Sequence, residues 1–438
     1  MRNEDERALA LTEELIDFIA ESPVSYWVIR NTVRKLEEAG YVRWTLFDKP
    51  PVPGGKYFIT RNGSSLIAFR MTKNTPTGFN ITAAHSDSPL FKIKTNHAVK
   101  ACDRYLKLDT ERYGSGILGT WLDRPLSVAG RAVVRTDEGI SVLPVKIDRD
   151  IALIPNVCIH FNREINEGVT YNTAVDTFPL IGNWTDEPVL TNLVAENIGV
   201  DPKSIVSTEL FLYNRMRGTV FGLNGEFVAA PQLDDQQCAF ATLKGFLESE
   251  EGTAIPVVAI FDNEEVGSQT RQGAAGDLLR DVLERLAAVY EKPLPALVPS
   301  SLMLSCDNAH AMHPNHPELS DPLNAPHMNG GIVIKHNANQ RYTTDAVSEA
   351  LVKELCKRVN VPVQHFANRS DIHGGHTLGT ITSSRVSMNT ADIGLAQLAM
   401  HSSYETAGVR DTAYMVELCK AFFSMTIVCE TDGVYRLA

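Results

Sequence analysis

The chain of 438 residues is long enough for two or three domains, and its 44% hydrophobic and 21% charged residues are typical of a folded protein in water. Its formal net charge of -12 disfavours nucleic acid or an anionic membrane surface as partner, because both attract clustered Lys and Arg. No apolar run reaches the ~20 residues of a membrane span, and no signal-type apolar segment follows the charged N-terminus. The 7 cysteines form no CxxC pair, which indicates reduced thiols and a cytoplasmic location.

The N-terminal part of the chain predicts two helices followed by strands. Apolar residues recur at helical spacing in the first two segments, and β-type runs follow them. Asn62-Gly63 lies between two of these runs and is a typical hairpin turn. We predict helices over residues 4–20 and 24–39, and strands over 57–60, 65–71 and 78–85.

The pattern changes between Phe91 and Phe227 to short β-type runs separated by turns. Asp137-Glu-Gly139 favours a hairpin turn, and a short helix is predicted near residues 190–197. We therefore predict an inserted β-rich domain over residues 92–227. Its predicted strands are residues 105–108, 131–135, 140–147 and 151–159.

Strands and helices alternate again after Phe227, which favours a mostly parallel sheet. The flanks of the insert, residues 1–91 and 228–438, then form one discontinuous α/β domain. Its predicted helices are residues 235–247, 277–290, 345–359 and 411–423, and its predicted strands are 255–261, 301–305, 362–366 and 388–393.

Polar side chains follow several of these predicted strands. The pair Glu264-Glu265 comes just after the apolar run that ends at Phe261, and ligands of open α/β sheets collect beyond such strand ends. Each residue alone has a structural alternative: the two Glu could be solvated, Asp87 could cap a turn, and Asp234 and Asp235 could be N-caps of the following helix. Their recurrence at strand ends favours a site. The candidates are His85, Asp87, Asp234, Glu264, Glu265, Asp307 and His401.

A mixed set of His and carboxylate side chains without Cys suits two divalent metals, typically zinc, with cobalt or manganese as alternatives. Two metals ~3.5–4 Å apart need one bridging carboxylate between them. Such a pair polarises a carbonyl and lowers the pKa of a bridging water, whose proton a nearby carboxylate can accept.

Eight stretches in the chain resemble the M18 metallopeptidases, the aspartyl aminopeptidase family. They come in family order and span nearly the whole chain. The stretches are Ala83-Ala-His-Ser-Asp-Ser-Pro89, Thr120-Trp-Leu-Asp-Arg-Pro-Leu126, Pro155-Asn-Val-Cys-Ile-His160, Pro231-Gln-Leu-Asp-Asp235, Phe261-Asp-Asn-Glu-Glu-Val-Gly-Ser268, Ser305-Cys-Asp-Asn-Ala-His-Ala-Met-His-Pro-Asn315, Asn339-Gln-Arg-Tyr342 and Gln397-Leu-Ala-Met-His-Ser402.

The resemblance implies a role for each candidate. Asp234 bridges two zinc ions. His85 and Asp307 complete one metal site, and Glu265 and His401 complete the other. Glu264 is the general base, and Asp87 orients the imidazole of His85, as a metal-bound His usually requires.

The resemblance also implies an assembly and a substrate. Family members form tetrahedral dodecamers in which the inserted β-rich domain builds dimer contacts. The residue that matches His160 reaches the active site of a neighbouring subunit, and the residues that match His310 and Lys335 face the substrate. The implied substrates are peptides with acidic N-terminal residues, Asp or Glu.

Two segments depart from the family pattern. The chain has Pro231-Gln-Leu-Asp-Asp235 where members commonly carry Pro-Arg-Leu-Asp-Asn. The loop Asp371-Ile-His-Gly-Gly-His-Thr-Leu-Gly-Thr380 replaces the usual Asp-x-Pro-Cys-Gly-x-Thr-Ile-Gly-Pro. That loop lies near the substrate in the family, so the preferred N-terminal side chain stays open. His373 and His376 could face the substrate, recruit an extra metal, or only line a Gly-rich turn.

We therefore expect a dinuclear zinc aminopeptidase. One alternative keeps the chemistry but takes small N-acyl amino acids as substrates, as an amidase or deacylase would. Another is a non-catalytic oligomeric scaffold with a relic site, against which the complete ligand set argues. The native metal and the physiological peptide stay open.

Overall fold

The computed structural model describes residues 2–438, with side chains from residue 5 onward. Over this range the chain folds into a mixed α/β structure. Its nine α-helices in the described residues are α1 (Arg2–Glu21), α2 (Ser25–Glu38), α3 (Val189–Ile198), α4 (Leu233–Glu248), α5 (Leu278–Val289), α6 (Leu294–Leu297), α7 (Ala346–Arg358), α8 (Leu378–Arg385) and α9 (Val409–Ser424).

The strands alternate with these helices in the second half of the chain and dominate between Leu90 and Asn214. In chain order they are β1 (Val42–Arg43), β2 (Lys56–Arg61), β3 (Ser65–Arg70), β4 (Phe79–His85), β5 (Leu90–Ala101), β6 (Tyr105–Tyr113), β7 (Leu126–Thr136), β8 (Gly139–Lys146), β9 (Leu180–Asn183), β10 (Ile205–Asn214), β11 (Thr219–Phe221), β12 (Phe227–Ala230), β13 (Ile255–Phe261), β14 (Leu302–Cys306), β15 (Ala309–His310), β16 (Ile332–His336), β17 (Val363–Ala367), β18 (Asn389–Gly394), β19 (Ala396–Leu398), β20 (Glu405–Gly408), β21 (Ile427–Thr431) and β22 (Val434–Leu437).

The main sheet has nine strands in the order β1-β2-β3-β13-β4-β14-β18-β16-β17. Its centre, β13-β4-β14-β18, is parallel, whereas β3 and β16 each pair antiparallel with a neighbour. The central strands are buried over nearly all of their length because helices cover both faces. Val258 and Ile260 pack with α4 and α9, whereas Val257 and Ala259 pack with α5. The mostly parallel sheet predicted from the alternating pattern is confirmed.

A second, six-stranded sheet is antiparallel and runs in the order β8-β7-β10-β5-β6-β9. It has an apolar core of its own, to which α3 contributes Leu190 and Val194. The predicted domain limit after residue 227 falls inside β12, which pairs with β11 in a small five-stranded sheet. The limits of the inserted domain therefore remain a prediction.

Most predicted elements appear within a few residues of their expected limits, including the hairpin of β2 and β3 around Asn62-Gly63. The strand predicted over residues 151–159 is wrong. This segment forms only isolated bridges, in which Ala152 pairs with Leu126 and Leu153 pairs with Leu180. None of the helices within residues 2–438 combines the length and the apolar character needed to cross a bilayer.

An ion-pair cluster around Glu209 joins the six-stranded sheet to the rest of the molecule. Glu209 on β10 accepts hydrogen bonds from Tyr26 Oη on α2 at 2.7 Å and from Arg131 Nη2 on β7 at 2.7 Å. Arg131 Nη1 also donates to the backbone carbonyl of Asn62, in the β2–β3 turn, at 2.7 Å. Burial opposes the charge of Glu209, but the hydrogen bonds from Tyr26, Arg131 and Lys92 lower its pKa to about 2.

Replacing Glu209 with Gln should lower the apparent midpoint of thermal unfolding at pH 7, because charge-assisted hydrogen bonds are worth ~1.5–3 kcal/mol. The pKa of Glu209 is depressed in the folded state, so its stabilisation is complete above the unfolded pKa of ~4.3 and is lost as pH falls towards about 2. The difference between Glu209→Gln and the native protein should therefore shrink over this interval. Glu138→Gln, on an exposed turn, is the control. Equal midpoints at pH 7 would refute the stabilising role.

Candidate metal centre

Three neighbouring strands of the main sheet bring the predicted residues together. β13, β4 and β14 are parallel and adjacent, so their carboxyl ends meet at one edge. His85 is the last residue of β4 and pairs with Phe261, the last residue of β13. Glu264 and Glu265 follow shortly after Phe261. Asp307 directly follows β14. This edge therefore collects an imidazole and three carboxyl groups.

Two further elements close the cluster over the strand ends. Asp234 lies in the first turn of α4, and its side chain is buried. His401 lies in the loop between β19 and β20. The ligand atoms of His85, Asp234, Asp235 and Asp307 lie together in one group, and those of Asp234, Glu265 and His401 lie in a second. A third group holds His85, Glu264 and Glu265. Asp234 belongs to the first two groups.

The carboxylate of Asp234 lies between two imidazoles. Its Oδ1 atom is 3.4 Å from His85 Nε2, and its Oδ2 atom is 3.3 Å from His401 Nε2. Glu265 Oε2 is also 3.3 Å from His401 Nε2. Ligand atoms of a tetrahedral zinc ion are ~3.3 Å apart when zinc–ligand bonds are ~2.0–2.1 Å. The spacing therefore fits two metals that share Asp234.

Backbone carbonyls fix the orientation of both imidazoles. His85 Nδ1 lies 3.0 Å from the carbonyl oxygen of Asp87, and His401 Nδ1 lies 3.0 Å from that of Ser115. A carbonyl only accepts, so each Nδ1 carries the proton and each Nε2 faces Asp234. This second contact is the usual device that orients a metal-binding His.

The carboxylate of Asp87 holds the backbone of the acid pair. Its two oxygens accept the N–H groups of Glu264 and Glu265, each at 3.1 Å, and Tyr113 Oη donates to Oδ2 at 2.6 Å. The same carboxylate is farther from the ring, with Oδ1 3.5 Å from His85 Nδ1. Asp87 therefore contacts His85 mainly through its main chain and positions Glu264 and Glu265 through its side chain.

Backbone in the left-handed region surrounds the cluster. Gln232 (φ 56), Asn263 (φ 62) and His401 (φ 68) adopt it without being glycine. Such conformations cost ~1–3 kcal/mol each and recur at functional sites, where neighbouring contacts hold them. The first two residues come just before Asp234 and Glu264, so they aim these side chains at the cluster.

The buried acids of the cluster lack sufficient positive charge. Burial raises the pKa of Glu264 to about 8 and that of Glu265 well above its ordinary value. Burial likewise raises the pKa of Asp307, although the nearby Lys335 opposes the effect. Glu405 shows the same behaviour, with a pKa of about 8 caused by burial and by the charge of Asp234. Buried like charges of this kind are stable as anions only beside additional cations.

Buried carboxylate oxygens without a hydrogen-bond donor indicate where those cations would bind. Asp234 Oδ1 and Glu265 Oε1 are buried and accept no hydrogen bond within the described residues. Buried carboxylate oxygens normally have partners, and a metal ion is the partner that these ligand types prefer. The side chains present at this edge of the sheet therefore fit a metal pair.

Sequence reasoning missed Glu405 and Tyr113, which support the cluster, and considered Asp235 only as a helix N-cap or an alternative bridging acid. Glu405 accepts the N–H groups of Asp234 at 3.0 Å and His401 at 2.6 Å, so one carboxylate fixes the backbone of two predicted ligands. Asp235 Oδ2 accepts the N–H of His85 at 3.0 Å. Tyr113 sits on β6, far from the others in sequence. No local pattern marks Glu405 or Tyr113.

Two predicted substrate-facing residues lie near Asp307. Lys335 on β16 is 3% exposed, and its Nζ is 3.3 Å from Asp307 Oδ2 and 2.7 Å from the carbonyl of Asn308. Burial opposes its charge, but the Asp307 carboxylate raises the pKa of Lys335 above its usual value. His310 on β15 is exposed, and its ring packs against Phe366 with centroids 5.8 Å apart.

Three other histidines lie outside this cluster in the single chain. His160 is exposed on a turn that follows the isolated bridges near Ala152. His376 Nε2 is 2.9 Å from Arg341 Nη1, and His373 is exposed. Among the groups of ligand-type side chains in the described residues, none includes any of these three.

Comparison with known proteins extends the similarity to the whole chain. Residues 18–423 match the family described as Aminopeptidase I zinc metalloprotease (M18). The chain is 40% identical over 442 residues to "Probable M18 family aminopeptidase 2" of Clostridium acetobutylicum, which covers 97% of this chain and 100% of that protein.

Solved structures give the same result. The chain in "Cryo-EM structure of the Ape4 and Nbr1 complex" has a TM-score of 0.93 and 34% identity, and the match covers 96% of this chain and 86% of that one. The chain in the structure of the S. cerevisiae mApe1 dodecamer has a TM-score of 0.83 and 29% identity, with 96% and 97% covered. The protein is therefore a member of the M18 family of zinc metallo-aminopeptidases.

Proposed function

We propose that the protein is a dinuclear zinc aminopeptidase whose two metals share the carboxylate of Asp234. The observation that carries this proposal is the position of Asp234, whose two oxygens each face the Nε2 atom of a different histidine. His85 and Asp307 would complete one site, and Glu265 and His401 the other. When bound, the metal pair polarises the scissile carbonyl and lowers the pKa of the attacking water.

Glu264 is the proposed general base. It is the one member of the acid pair that the two ligand sets leave free, and Asp87 fixes its backbone through the 3.1 Å hydrogen bond. Burial raises the pKa of Glu264 to about 8, and neighbouring cations would oppose this shift and leave the carboxylate free to accept a proton. Such a group can accept a proton from the nucleophile and pass it to the leaving amine.

We further propose that the preferred substrates are peptides with an acidic N-terminal residue. A buried substrate carboxylate needs a charged or multiply hydrogen-bonded partner. The ammonium of Lys335 beside Asp307 supplies a buried positive charge next to the proposed metal site, and His310 lies on the neighbouring β15. The altered loop from Asp371 to Thr380 is the feature that would change this preference.

The proposed assembly is a homo-oligomer, a tetrahedral dodecamer, in the cytoplasm. A β-rich domain over residues 92–227 has no predicted catalytic residue except the exposed His160, which suits an interface that presents His160 to a neighbouring subunit. Solved relatives support this proposal, since one of them is described as a dodecamer.

The bridging role of Asp234 predicts a pattern of metal loss. Asp234→Asn should lower zinc occupancy at both sites, whereas His85→Ala should mainly empty one. Asp235→Asn is the matched control, because an Asn oxygen can still accept the N–H of His85. Metal analysis of the purified variants measures the counts. If Asp234→Asn retained two zinc ions per chain, another acid would be the bridge.

The two adjacent acids should behave differently. Glu264→Gln should fold and keep its zinc but lose ~10²–10⁴-fold in kcat, because the amide cannot accept the proton. Glu265→Gln should instead weaken metal binding. Turnover on an amino acid anilide and zinc content are measured on the same preparations. Near-normal turnover in Glu264→Gln, or the reverse behaviour of the two variants, would show that the roles are assigned wrongly.

Substrate preference can be separated from damage to the metal centre. Lys335→Met removes the charge and keeps the length of the side chain, so kcat/KM for Glu-anilide should fall roughly 10–100-fold relative to Leu-anilide. Equal losses on both substrates would mean that Lys335 acts only through Asp307. A native enzyme that prefers Leu would refute acidic preference altogether. N-acetylated Glu-anilide is the control and should be a poor substrate, because it lacks the free amine.

Light scattering on the native protein should give the mass of twelve chains. His160→Ala should keep that mass and lose activity, since its proposed contact is with another subunit's site. His97→Ala, on β5 of the six-stranded sheet, is the control and should keep both. A fully active monomer would contradict the proposed assembly.

A further inference from the structure

A second cluster of side chains that could bind a metal lies apart from the candidate metal centre. It is formed between the last two strands of the main sheet and a helix. β16 and β17 pair in parallel, with Ile334 opposite His365 and His336 opposite Ala367. His336 and His365 therefore point to the same face of the sheet. That face is the one on which Ile334 packs with α7, the helix that carries Glu349.

The three side chains converge on one point. His336 Nε2 lies 3.4 Å from His365 Nδ1. Glu349 approaches both rings, with Oε2 3.9 Å from His336 Nε2 and Oε1 3.7 Å from His365 Nδ1. These separations are close to the ~3.3 Å expected between donors of one tetrahedral ion. A cation at the centre would need only small side-chain adjustments.

We propose that His336, Glu349 and His365 form a third metal site in this chain, which binds Zn²⁺ or a similar divalent transition metal. Two imidazoles and one carboxylate from three elements are a donor set that such ions favour. The side chains are 31%, 24% and 38% exposed, so water can complete the coordination. The bound ion would fasten the edge strand β17 to α7.

The charges around the cluster are compatible with a cation. Imidazole nitrogens bind a metal in their neutral form, and the carboxylate of Glu349 supplies a negative charge near both rings. Lys353 Nζ lies 3.5 Å from Glu349 Oε1 and competes for it. Its side chain is 52% exposed and long, so it can turn into solvent when a metal ion takes its place.

This site is distinct from the candidate metal centre, although His336 directly follows Lys335 on β16. Lys335 points to the opposite face from His336 and contacts Asp307. No ligand is shared between the two clusters in the described residues. Loss of the third metal should therefore leave the catalytic metals in place.

The test is a zinc count on the purified protein equilibrated with micromolar free Zn²⁺. The native protein should hold one more zinc per chain than either Glu349→Gln or His365→Gln, whatever the occupancy of the catalytic centre. The conservative Glu349→Gln keeps the helix surface, and both variants should keep peptidase activity. Their apparent unfolding midpoints in Zn²⁺ should lie below that of the native protein, because the ion binds only the folded chain.

The matched control is His316→Gln, which alters an exposed histidine whose Nδ1 lies 3.1 Å from Glu318 Oε1. It should keep the full zinc count. Equal counts in the native protein, Glu349→Gln and His365→Gln would overturn the proposal and leave a His–His hydrogen bond beside a Glu–Lys ion pair. An equal loss in His316→Gln would show that zinc binds surface histidines without selectivity, which also overturns it.

Discussion

The carboxylate of Asp234, which lies between two imidazoles, is the group on which the candidate metal centre depends. Its two oxygens face the Nε2 atoms of His85 and His401, which are far apart in the sequence. Around it, the half-buried Glu264 and Glu265 and the buried Glu405 have raised pKa values, because partial or full burial disfavours their charged forms. Buried anions in excess of cations destabilise a fold unless metal ions neutralise them. The stability of this part of the fold should therefore depend on the binding of metal ions.

The fold brings the proposed ligands together through contacts that do not involve a metal. Parallel pairing of β13, β4 and β14 brings their carboxyl ends to one edge. The carboxylates of Asp87 and Glu405 accept backbone N–H groups of Glu264 and of the proposed ligands Glu265, Asp234 and His401. Each of these four residues is consequently held by a contact that does not involve a metal. Such support keeps ligand positions close to the bound geometry, which lowers the ordering needed when a metal arrives.

Local sequence patterns were sufficient to predict individual strands and the position of polar residues at their ends. The apolar runs of β4 and β13 and the polar residues after them indicated strands with a site at their ends, and these elements are confirmed. Family resemblance was needed for the ligand sets, because spacing alone did not pair His401 with Asp234. Residues 151–159 have strand-like composition but lack a continuous partner, so only isolated bridges form. Tyr113 and Glu405 act through tertiary hydrogen bonds that no local pattern records.

The most direct measurement of the shared-carboxylate account is a crystal structure of the zinc-loaded protein with diffraction data collected at the zinc absorption edge. The account predicts two anomalous peaks ~3.5–4 Å apart at the catalytic edge, one on each side of the Asp234 carboxylate. One peak would lie beside His85 and Asp307, and the other beside Glu265 and His401. A single peak at this edge, or a pair bridged by a different acid such as Asp235, would contradict it.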